Sequence, residues 1–489
     1  MPSPGQARGQ MLRPDLIRHQ CYIDGAWRAA ASGETIGVSD PFTGTGIGDV
    51  PSLAAGEIDD AILAAKRAFV EWSGRNPRER GGLLRRWHDL VLSHAEDLAC
   101  LITLENGKPL KEARGEIAYG AAFIALYAEE AGRALGEIIP APTSGRRLLV
   151  EREPVGVCGV VTPWNFPVAM LTRKLAPALA AGCTVVAKPA SETPFSALAL
   201  AVLAEEAGIP AGVINIVTGQ PVMVGERLTG SPIVRKISFT GSTRVGAQLM
   251  AASAGTIKRL SLELGGNAPL LIFDDADLSV AVETAMVAKF RNSGQSCIAA
   301  NRIYVQQGLH GAFVEAFSAR VGALTSGDGF DPATDIGPLI SEAAVAKVDR
   351  HILDATNGGA RILNGGLSGE GRMCRPTLLC DVATDALVTQ EEAFGPLAAV
   401  IRFDTIEQGI KLANDTPFGL AAYLCSSSPA TISRVGRALE SGMVGINTGL
   451  ISTAFAPFGG VKMSGLGREG SHHGLNEYLN LKYLCEAEL

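Results

Sequence analysis

The chain has 489 residues, a length that predicts about two to four domains. Its 43 Lys and Arg against 50 Asp and Glu give a net charge of −7. This balance disfavours nucleic acid as a partner, because phosphate binding needs a concentrated basic surface. No segment offers the ~20 uninterrupted apolar residues of a membrane span, so no membrane partner is expected. The nine cysteines are scattered without a CxxC pair, which predicts reduced thiols in the cytoplasm and no metal site.

The first half of the chain changes its pattern twice. Apolar residues recur at helical spacing between residues 58 and 135, which predicts helices. Residues 138–154 are rich in turn formers and contain the strand-like LLVERE, so a β-hairpin or an extended arm is expected. Short apolar runs then alternate with helical segments, which predicts βαβ units and a parallel sheet of the dinucleotide-binding type. The predicted strands of this sheet are 155–163, 183–189, 212–219 and 234–241.

A second α/β block begins near Leu264. A helix is predicted over residues 278–292. The predicted strands of this block are 268–275, 301–307, 397–403, 421–427 and 443–449. The last twenty residues alternate like an edge strand, and a strand in that place often pairs with another subunit.

Cys297 differs from the other cysteines in its local sequence. It lies in the small-residue turn FRNSGQSCIAAN after a predicted helix. Free cysteines usually fill the core, and this is the expectation for Cys158, Cys183 and Cys425 within apolar strands. A nucleophilic cysteine instead needs access and groups that stabilise its thiolate. The turn around Cys297 favours a nucleophile.

Glu263 and Asn165 carry polar groups that could assist a cysteine nucleophile. Glu263 lies between two leucines in SLELGGNAP, and a partly desolvated carboxyl group has a raised pKa and can act as a general base. Most glutamates at strand ends are merely solvated. Asn165 lies in TPWNFP, where prolines fix the backbone. An amide in that place either caps a turn or donates to an oxyanion.

Two further segments follow predicted strands of the parallel sheet. Lys188 and Ser191 lie in AKPASETP, and ligands of such sheets bind beyond the carboxyl ends of the strands. The turn FTGSTRVG departs from the GxGxxG pattern. It nevertheless follows a strand and opens a helix, so its amides could bind a phosphate.

These segments resemble the aldehyde dehydrogenase superfamily in order and spacing, from about Tyr22 to Leu484. The resemblance is carried by TPWNFP, AKPASETP, SFTGST, LELGGNAP, SGQSC, EEAFGP and APFGGVKMSGLGREG. The segments LTRK, KFRNSGQSC and GLIST resemble succinate-semialdehyde dehydrogenases in particular. The resemblance implies an α/β fold with three parts: a Rossmann-type cofactor domain, an α/β catalytic domain and a β oligomerisation arm. The expected boundaries are 14–137 with 155–262, 263–455, and 138–154 with 470–489, respectively.

The resemblance implies a mechanism to which each catalytic candidate is chemically suited. The Cys297 thiolate would attack the aldehyde carbonyl and form a thiohemiacetal, whose oxyanion would accept bonds from the Asn165 amide and the Cys297 backbone N–H. Loss of hydride would leave a thioester. Glu263 would activate the water that hydrolyses it.

The resemblance also implies an NAD(P) site. Lys188 would bind the adenosine ribose and Ser242 the pyrophosphate. Trp164 and Gly219 would flank the adenosine end, and Glu392 and Phe394 would position the nicotinamide ribose. The other residues expected to contact the cofactor are Thr162, Pro163, Gly241 and Leu264. NAD-preferring members commonly carry Glu three residues after the lysine, where this chain has Ser191. A serine there does not repel a 2′-phosphate, so NADP is expected to be preferred over NAD.

For the substrate, the resemblance implies that Arg173, Arg291 and Ser452 bind a distal carboxylate, because the arginine fork suits bidentate contact. The two arginines could equally be ordinary ion-paired residues. The predicted reaction is oxidation of succinate semialdehyde to succinate, by a homodimer or homotetramer. Ala299 stands where some relatives have a second cysteine, so no disulfide switch is expected there.

Three alternatives remain open at the level of sequence. The same chemistry could act on glutarate semialdehyde or on another aliphatic or aromatic aldehyde, because one methylene changes pocket affinity by only ~1–3 kcal/mol. A binding protein without catalysis is disfavoured by the intact Cys297, Glu263 and Asn165. A cysteine hydrolase without a redox step is disfavoured by the cofactor motifs.

Overall fold

The computed structural model describes residues 11–369 and 371–487. Within these residues, no helix is long and apolar enough to cross a membrane. Strands β1–β6 are Cys21–Ile23, Ala26–Arg28, Thr35–Ser39, Gly46–Pro51, Glu137–Ile139 and Arg146–Pro154. Helices α1–α4 are Ala55–Gly74, Pro77–Ser93, Ala95–Asn106 and Leu110–Glu130. The helical pattern of residues 58–135 is thus confirmed, whereas the four short strands before residue 52 were not predicted.

The middle of the chain alternates strands and helices as expected. Strands β7–β11 are Val157–Val161, Thr184–Lys188, Ile214–Ile216, Val234–Thr240 and Arg259–Glu263. Helices α5–α8 are Pro167–Ala181, Pro194–Glu206, Pro221–Gly230 and Thr243–Ser253. Every residue of α5 is buried, including its two cations Arg173 and Lys174. The helix therefore places charged groups inside the protein.

The rest of the chain contains a second set of alternating elements. Strands β12–β16 are Ala268–Ile272, Ala300–Gln306, Arg361–Asn364, Thr377–Cys380 and Leu397–Phe403. Strands β17–β22 are Phe418–Gly419, Ala421–Cys425, Met443–Ile446, Val461–Lys462, Gly465–Leu466 and Leu479–Ala487. Helices α9–α15 are Leu278–Phe290, Gln307–Gly322, Glu342–Asn357, Leu387–Gln390, Ile406–Asn414, Pro429–Ala438 and Ser471–Asn476.

An eight-stranded sheet has the order β2-β1-β9-β8-β7-β10-β11-β21. Its central strands β7–β11 are parallel, and β1 and β21 join antiparallel. Parallel strands are covered on both faces, which explains why VCGVV and TVVAK read as continuous apolar runs. The carboxyl ends of β7, β8 and β10 lie along one edge of this sheet. Asn165, Lys188 and Ser242 follow at that edge.

A seven-stranded sheet has the order β14-β15-β16-β13-β12-β18-β19. All its neighbours are parallel except β14, which is antiparallel to β15. Helix α9 connects β12 to the segment that carries Cys297. The two parallel sheets confirm the α/β class that the alternating pattern predicts.

A three-stranded sheet of order β22-β6-β5 extends from the rest of the chain. The β5–β6 hairpin confirms the expectation for residues 138–154, and β22 pairs with β6 along its whole length. The predicted C-terminal edge strand is shorter than expected, because residues 471–476 form helix α15 before β22 begins. Residues 488–489 of the predicted arm lie outside the described residues.

Candidate active site

A cavity of about 300 Å³ lies beyond the carboxyl ends of the eight-stranded sheet and faces the Cys297 loop. Most of the predicted site residues line it. They are Pro163, Trp164, Asn165, Arg173, Gly241, Ser242, Leu264, Arg291, Cys297, Glu392, Phe394 and Ser452. The lining does not include Thr162, Lys188, Ser191, Gly219 or Glu263. The structure thus brings two of the three catalytic candidates and all three substrate candidates to one cavity, while Glu263 is not part of its lining.

Cys297 lies in a loop with unusual backbone geometry. Helix α9 ends at Phe290, and three consecutive residues, Asn292 to Gly294, then have φ between 53° and 71°. A Cβ on Gly294 would lie 2.1 Å from the Gly395 carbonyl oxygen, so only glycine fits there. Seven of the nine cysteines are buried, whereas Cys297 is partly exposed. Cys297 follows this left-handed turn and lines the cavity.

The environment of the Cys297 thiol disfavours its thiolate form. Burial, reinforced by the negative charge of Glu392, raises its pKa to about 12. The positive charge of Arg173 acts in the opposite direction. Because the thiolate is the nucleophile, attack requires a group that removes the proton or a positive charge that lowers this pKa.

Asn165 lies in the loop between β7 and α5, next to the Cys297 loop. Its side-chain amide donates to the Gln295 carbonyl oxygen at 3.0 Å, two residues before the cysteine. Its buried Oδ1 has no hydrogen-bond partner among the described residues. The amide nitrogen thus points at the segment where an oxyanion on a Cys297 adduct would form, which fits the donor role that the sequence suggests.

Glu263 ends strand β11 and is only 2% exposed. Neither of its carboxyl oxygens has a hydrogen-bond partner among the described residues. Burial, together with the nearby charge of Glu469, raises its pKa well above the ordinary value. The expectation of a desolvated carboxyl group with a raised pKa is thus met, and such a group is a stronger base, once deprotonated, than an ordinary carboxylate.

Arg173 and Arg291 reach the cavity in different ways. Arg173 is buried, forms an ion pair with Glu469, and stacks over the Phe458 ring at 4.3 Å. Arg291 is half-buried, and its guanidinium lies over the Phe166 ring at 5.3 Å. Both line the cavity that contains Cys297. The cavity therefore presents positive charge to its occupant, although Arg173 shares its charge with a carboxylate.

The residues predicted for the adenosine side of a dinucleotide lie around the ends of β8 and β10. Lys188 is 5% exposed, its Nζ donates to the Pro189 carbonyl oxygen at 3.1 Å, and burial lowers its pKa. Ser191 is half-buried, and the neighbouring Glu192 is exposed. Ser242 caps helix α8 by accepting from the Val245 N–H at 3.4 Å. The amides at this helix start suit a phosphate.

Glu392 and Phe394 line the same cavity. One carboxyl oxygen of Glu392 is buried without a hydrogen-bond partner among the described residues. Burial raises the pKa of this group to about 7. The Phe394 ring contacts Trp164 edge to face at 5.5 Å between centroids. An unpartnered buried acceptor on a cavity wall fits a ribose hydroxyl, so the residues present fit a dinucleotide.

Comparison with known proteins agrees with this geometry. Residues 27–484 match the model of the aldehyde dehydrogenase family. The chain belongs to the aldehyde dehydrogenase family. It is 53% identical over 478 residues to the glutarate-semialdehyde dehydrogenase of Pseudomonas aeruginosa, covering 97% of this chain and 99% of that protein. It is 54% identical over 473 residues to the NADP(+) succinate-semialdehyde dehydrogenase of Escherichia coli, covering 96% and 98%.

The likeness extends to the whole fold. A crystal structure of the succinate-semialdehyde dehydrogenase from Burkholderia pseudomallei matches with a TM-score of 0.97 at 53% identity, covering 98% of this chain and 100% of that one. The aldehyde dehydrogenase fold expected from the sequence motifs is therefore confirmed. The protein is an enzyme that oxidises an aldehyde with NAD(P).

Three residues important to the dehydrogenase site were not singled out from the sequence. Glu469 lies in the GREG segment that carried the family resemblance, so its place in a motif was a usable signal. Lys108 and Asn292 contact the Asn165 loop from distant parts of the chain. Asn292 lies in the KFRNSGQSC segment, so its place in a motif was also a usable signal, whereas the lone Lys108 gives no periodic or spacing signal.

Proposed function

We propose that this aldehyde dehydrogenase oxidises succinate semialdehyde to succinate and prefers NADP over NAD. The observation that carries the proposal is the presence of Arg173 and Arg291 on the wall of the cavity that contains Cys297. A four-carbon semialdehyde carries a carboxylate at the end opposite its aldehyde, and the guanidinium fork suits that group. Ser452 lines the same cavity and offers a hydroxyl donor.

The proposed chemistry assigns one role to each catalytic residue. The Cys297 thiol releases its proton to solvent, and the thiolate attacks the aldehyde carbon to form a thiohemiacetal oxyanion, to which the Asn165 amide and the Cys297 N–H donate. A bound NAD(P) supplies the acceptor for the hydride that leaves this carbon. Glu263, once deprotonated, takes a proton from the water that attacks the resulting thioester, and succinate leaves as Cys297 regains its proton.

The proposed cofactor preference rests on the residues after strand β8. Lys188 ends this strand, and Ser191 lies three residues later with its side chain half-buried. A serine hydroxyl and a lysine ammonium can both donate to a 2′-phosphate, whereas a carboxylate at position 191 would repel it. The Escherichia coli relative, which carries NADP(+) in its name, supports the same preference.

In the proposed function, each of the three sheets has its own part. The eight-stranded sheet would bind the cofactor, the seven-stranded sheet would carry the catalytic loop, and the β22-β6-β5 sheet would join subunits into a homodimer or homotetramer. Strand β22 has exposed Leu481 and Tyr483, which supports an assembly role for the arm. A mechanism that depends on a free Cys297 thiol favours a reducing compartment, the cytoplasm.

The decisive experiment compares substrates in wild type and Arg291→Ala. Removing a guanidinium that binds a carboxylate should lower kcat/KM for succinate semialdehyde at least ~30-fold. This factor corresponds to the smallest free-energy cost usually found when one partner of a buried charge pair is removed. The value for butyraldehyde, which has no carboxylate, should change little. Arg320→Ala, at an exposed ion pair with Glu283, is the matched control. Equal losses for both aldehydes would contradict the carboxylate site.

Glutarate semialdehyde is the second candidate substrate, because the Pseudomonas aeruginosa relative is named for it. The two semialdehydes differ by one methylene, which separates kcat/KM by roughly 10- to 200-fold in a matched pocket. The ratio of their kcat/KM values in the wild type therefore decides between them. Measuring both with NADP and with NAD decides the cofactor, and Ser191→Glu should reverse the preference toward NAD.

A further inference from the structure

The backbone of the Asn165 loop is anchored by a lysine from another part of the chain. Lys108 lies between α3 and α4, and its side chain is only 1% exposed. Its Nζ donates to the Asn165 carbonyl oxygen at 2.8 Å and to the Glu116 carboxylate at 2.5 Å. The same ammonium lies 4.0 Å from the centroid of the Phe166 ring. Lys108 therefore contacts both Asn165 and the residue that follows it.

Glu116, the partner of Lys108, fixes the other side of the same loop. Its second carboxyl oxygen accepts from the backbone N–H groups of Val168 and Ala169 at 2.9 and 3.2 Å. These amides belong to the first turn of α5, whose N–H groups have no partner within the helix. The ion pair thus joins the start of α5 to the carbonyl of Asn165.

The Asn165 carbonyl oxygen has a second donor. The Asn292 amide donates to it at 3.0 Å and to the Gln295 carbonyl oxygen at 3.1 Å. Asn165 itself donates to the same Gln295 oxygen at 3.0 Å. Two donors on one carbonyl use both of its lone pairs, so the peptide after Asn165 cannot rotate without leaving a buried charge or amide unpaired.

We propose that Lys108, paired with Glu116, is a positioning residue that fixes the Asn165 backbone so that its side-chain amide meets the oxyanion on Cys297. This inference rests on the oxyanion role proposed for Asn165. Backbone orientation decides where a short side chain can place its amide, and oxyanion donors act only at hydrogen-bond distance from the developing charge. A buried ammonium is costly unless it is paired, which Glu116 provides.

A double-mutant cycle tests the proposal. Lys108→Met, Asn165→Ala and the combined variant are compared for the rate of NADPH formation in a single turnover and for the KM of the cofactor. Asn165→Ala should slow the single turnover about 100-fold, as loss of one oxyanion donor does. Lys108→Met should slow it about tenfold without changing the cofactor KM, since geometry rather than a donor is lost. In the Asn165→Ala background, Lys108→Met should then change the rate less than about twofold, because interacting residues are not additive.

Lys111→Met is the matched control, because this lysine forms an exposed ion pair with Asp335 on the same helix region. It should leave the rate unchanged. A tenfold loss from Lys108→Met that persists in full without the Asn165 amide would overturn the inference, as would no loss at all. A small effect of Asn165→Ala alone would instead overturn the proposed oxyanion role.

Folding of the variant is addressed by a second substitution. If Lys108→Met does not fold, Lys108→Met with Glu116→Gln takes its place in the cycle. This pair leaves no unpaired charge, and the glutamine oxygen can still accept from the first turn of α5. For this combined variant too, the effect on the rate should be lost in the Asn165→Ala background. An effect that persists in full in that background would overturn the proposal.

Discussion

Two buried carboxylates near the active site, Glu263 and Glu469, differ in their ion pairs and in the direction of their pKa shifts. Glu263 ends β11, and Glu469 follows β21, the strand that pairs with β11. Glu469 forms ion pairs with both Arg173 and Lys174. Their positive charges outweigh the effect of burial, so its pKa is lowered. Glu263 has no hydrogen-bond partner among the described residues, and its pKa is raised.

The difference in pKa distinguishes a carboxylate that stabilises the fold from a carboxyl group that can take part in the reaction. A carboxylate with two cationic partners stays ionised and stabilises their burial. A carboxyl group without a partner has a raised pKa, so once deprotonated it is a stronger base than an ordinary carboxylate and can act as a general base. Sequence neighbours do not reveal this contrast, because both glutamates lie next to glycine-rich segments.

The largest expected effect comes from Glu263→Gln. Without a general base, kcat should fall about 10²- to 10⁴-fold, while the fold is retained. Because the pKa of Glu263 is raised by folding, its ionisation opposes folding as the pH rises, so a neutral amide should not lower stability at neutral pH. Steady-state rates and thermal unfolding measured together test both statements.

A burst experiment shows which step of the reaction Glu263→Gln slows. With Glu263→Gln, the first turnover should still produce one equivalent of NADPH per Cys297, because only hydrolysis of the thioester needs the base. Absence of any burst would contradict the contrast, since the carboxyl group would then be needed for attack as well. Asp275→Asn, a carboxylate outside the cavity that is bonded to Ser426, is the matched control.

The second effect is on stability and comes from Glu469→Gln. This substitution leaves Arg173 and Lys174 buried without their counter-charge. Removing one partner of a buried charged pair costs about 3–5 kcal/mol, so the free energy of unfolding should fall by that amount. Denaturant unfolding measures the change. Glu283→Gln, at an exposed ion pair with Arg320, should cost less than about 1 kcal/mol. Equal costs would mean that the buried pairs contribute no more than a surface one.

Much of the site could be predicted from the sequence because its residues follow strands. Buried parallel strands read as apolar runs, and their carboxyl ends share one edge. Asn165 follows β7 and Ser242 follows β10, and both line the cavity. The Cys297 turn was recognisable from its small residues, although its three left-handed residues were not.

The charged partners could not be predicted, for a different physical reason. Lys174 and Glu469 are 295 positions apart, and Asn165 and Lys108 are 57 apart, so no local pattern joins them. Arg173 was expected to bind substrate, with an ordinary ion pair as the alternative; it both lines the cavity and pairs with Glu469. Pairing of buried charges is decided by the folded chain as a whole.

The smallest expected effect is a shift in pH dependence. Because Glu263 acts as a base only when deprotonated and its pKa is raised, thioester hydrolysis should accelerate with rising pH at values well above those at which an ordinary carboxyl group titrates. The charge of Glu469 contributes to that raised pKa, and it also neutralises Arg173 and Lys174, which would lower it. Glu469→Gln removes a negative charge near Glu263 and leaves the positive charges of Arg173 and Lys174 without their counter-charge. Both changes favour the ionised form of Glu263, so its pKa should fall and the rate profile should move toward lower pH. Steady-state rates under conditions where hydrolysis limits turnover measure the profile. A profile that stays in place, in a variant shown to be folded, would mean that the two carboxylates are electrostatically independent and that burial alone raises the pKa of Glu263.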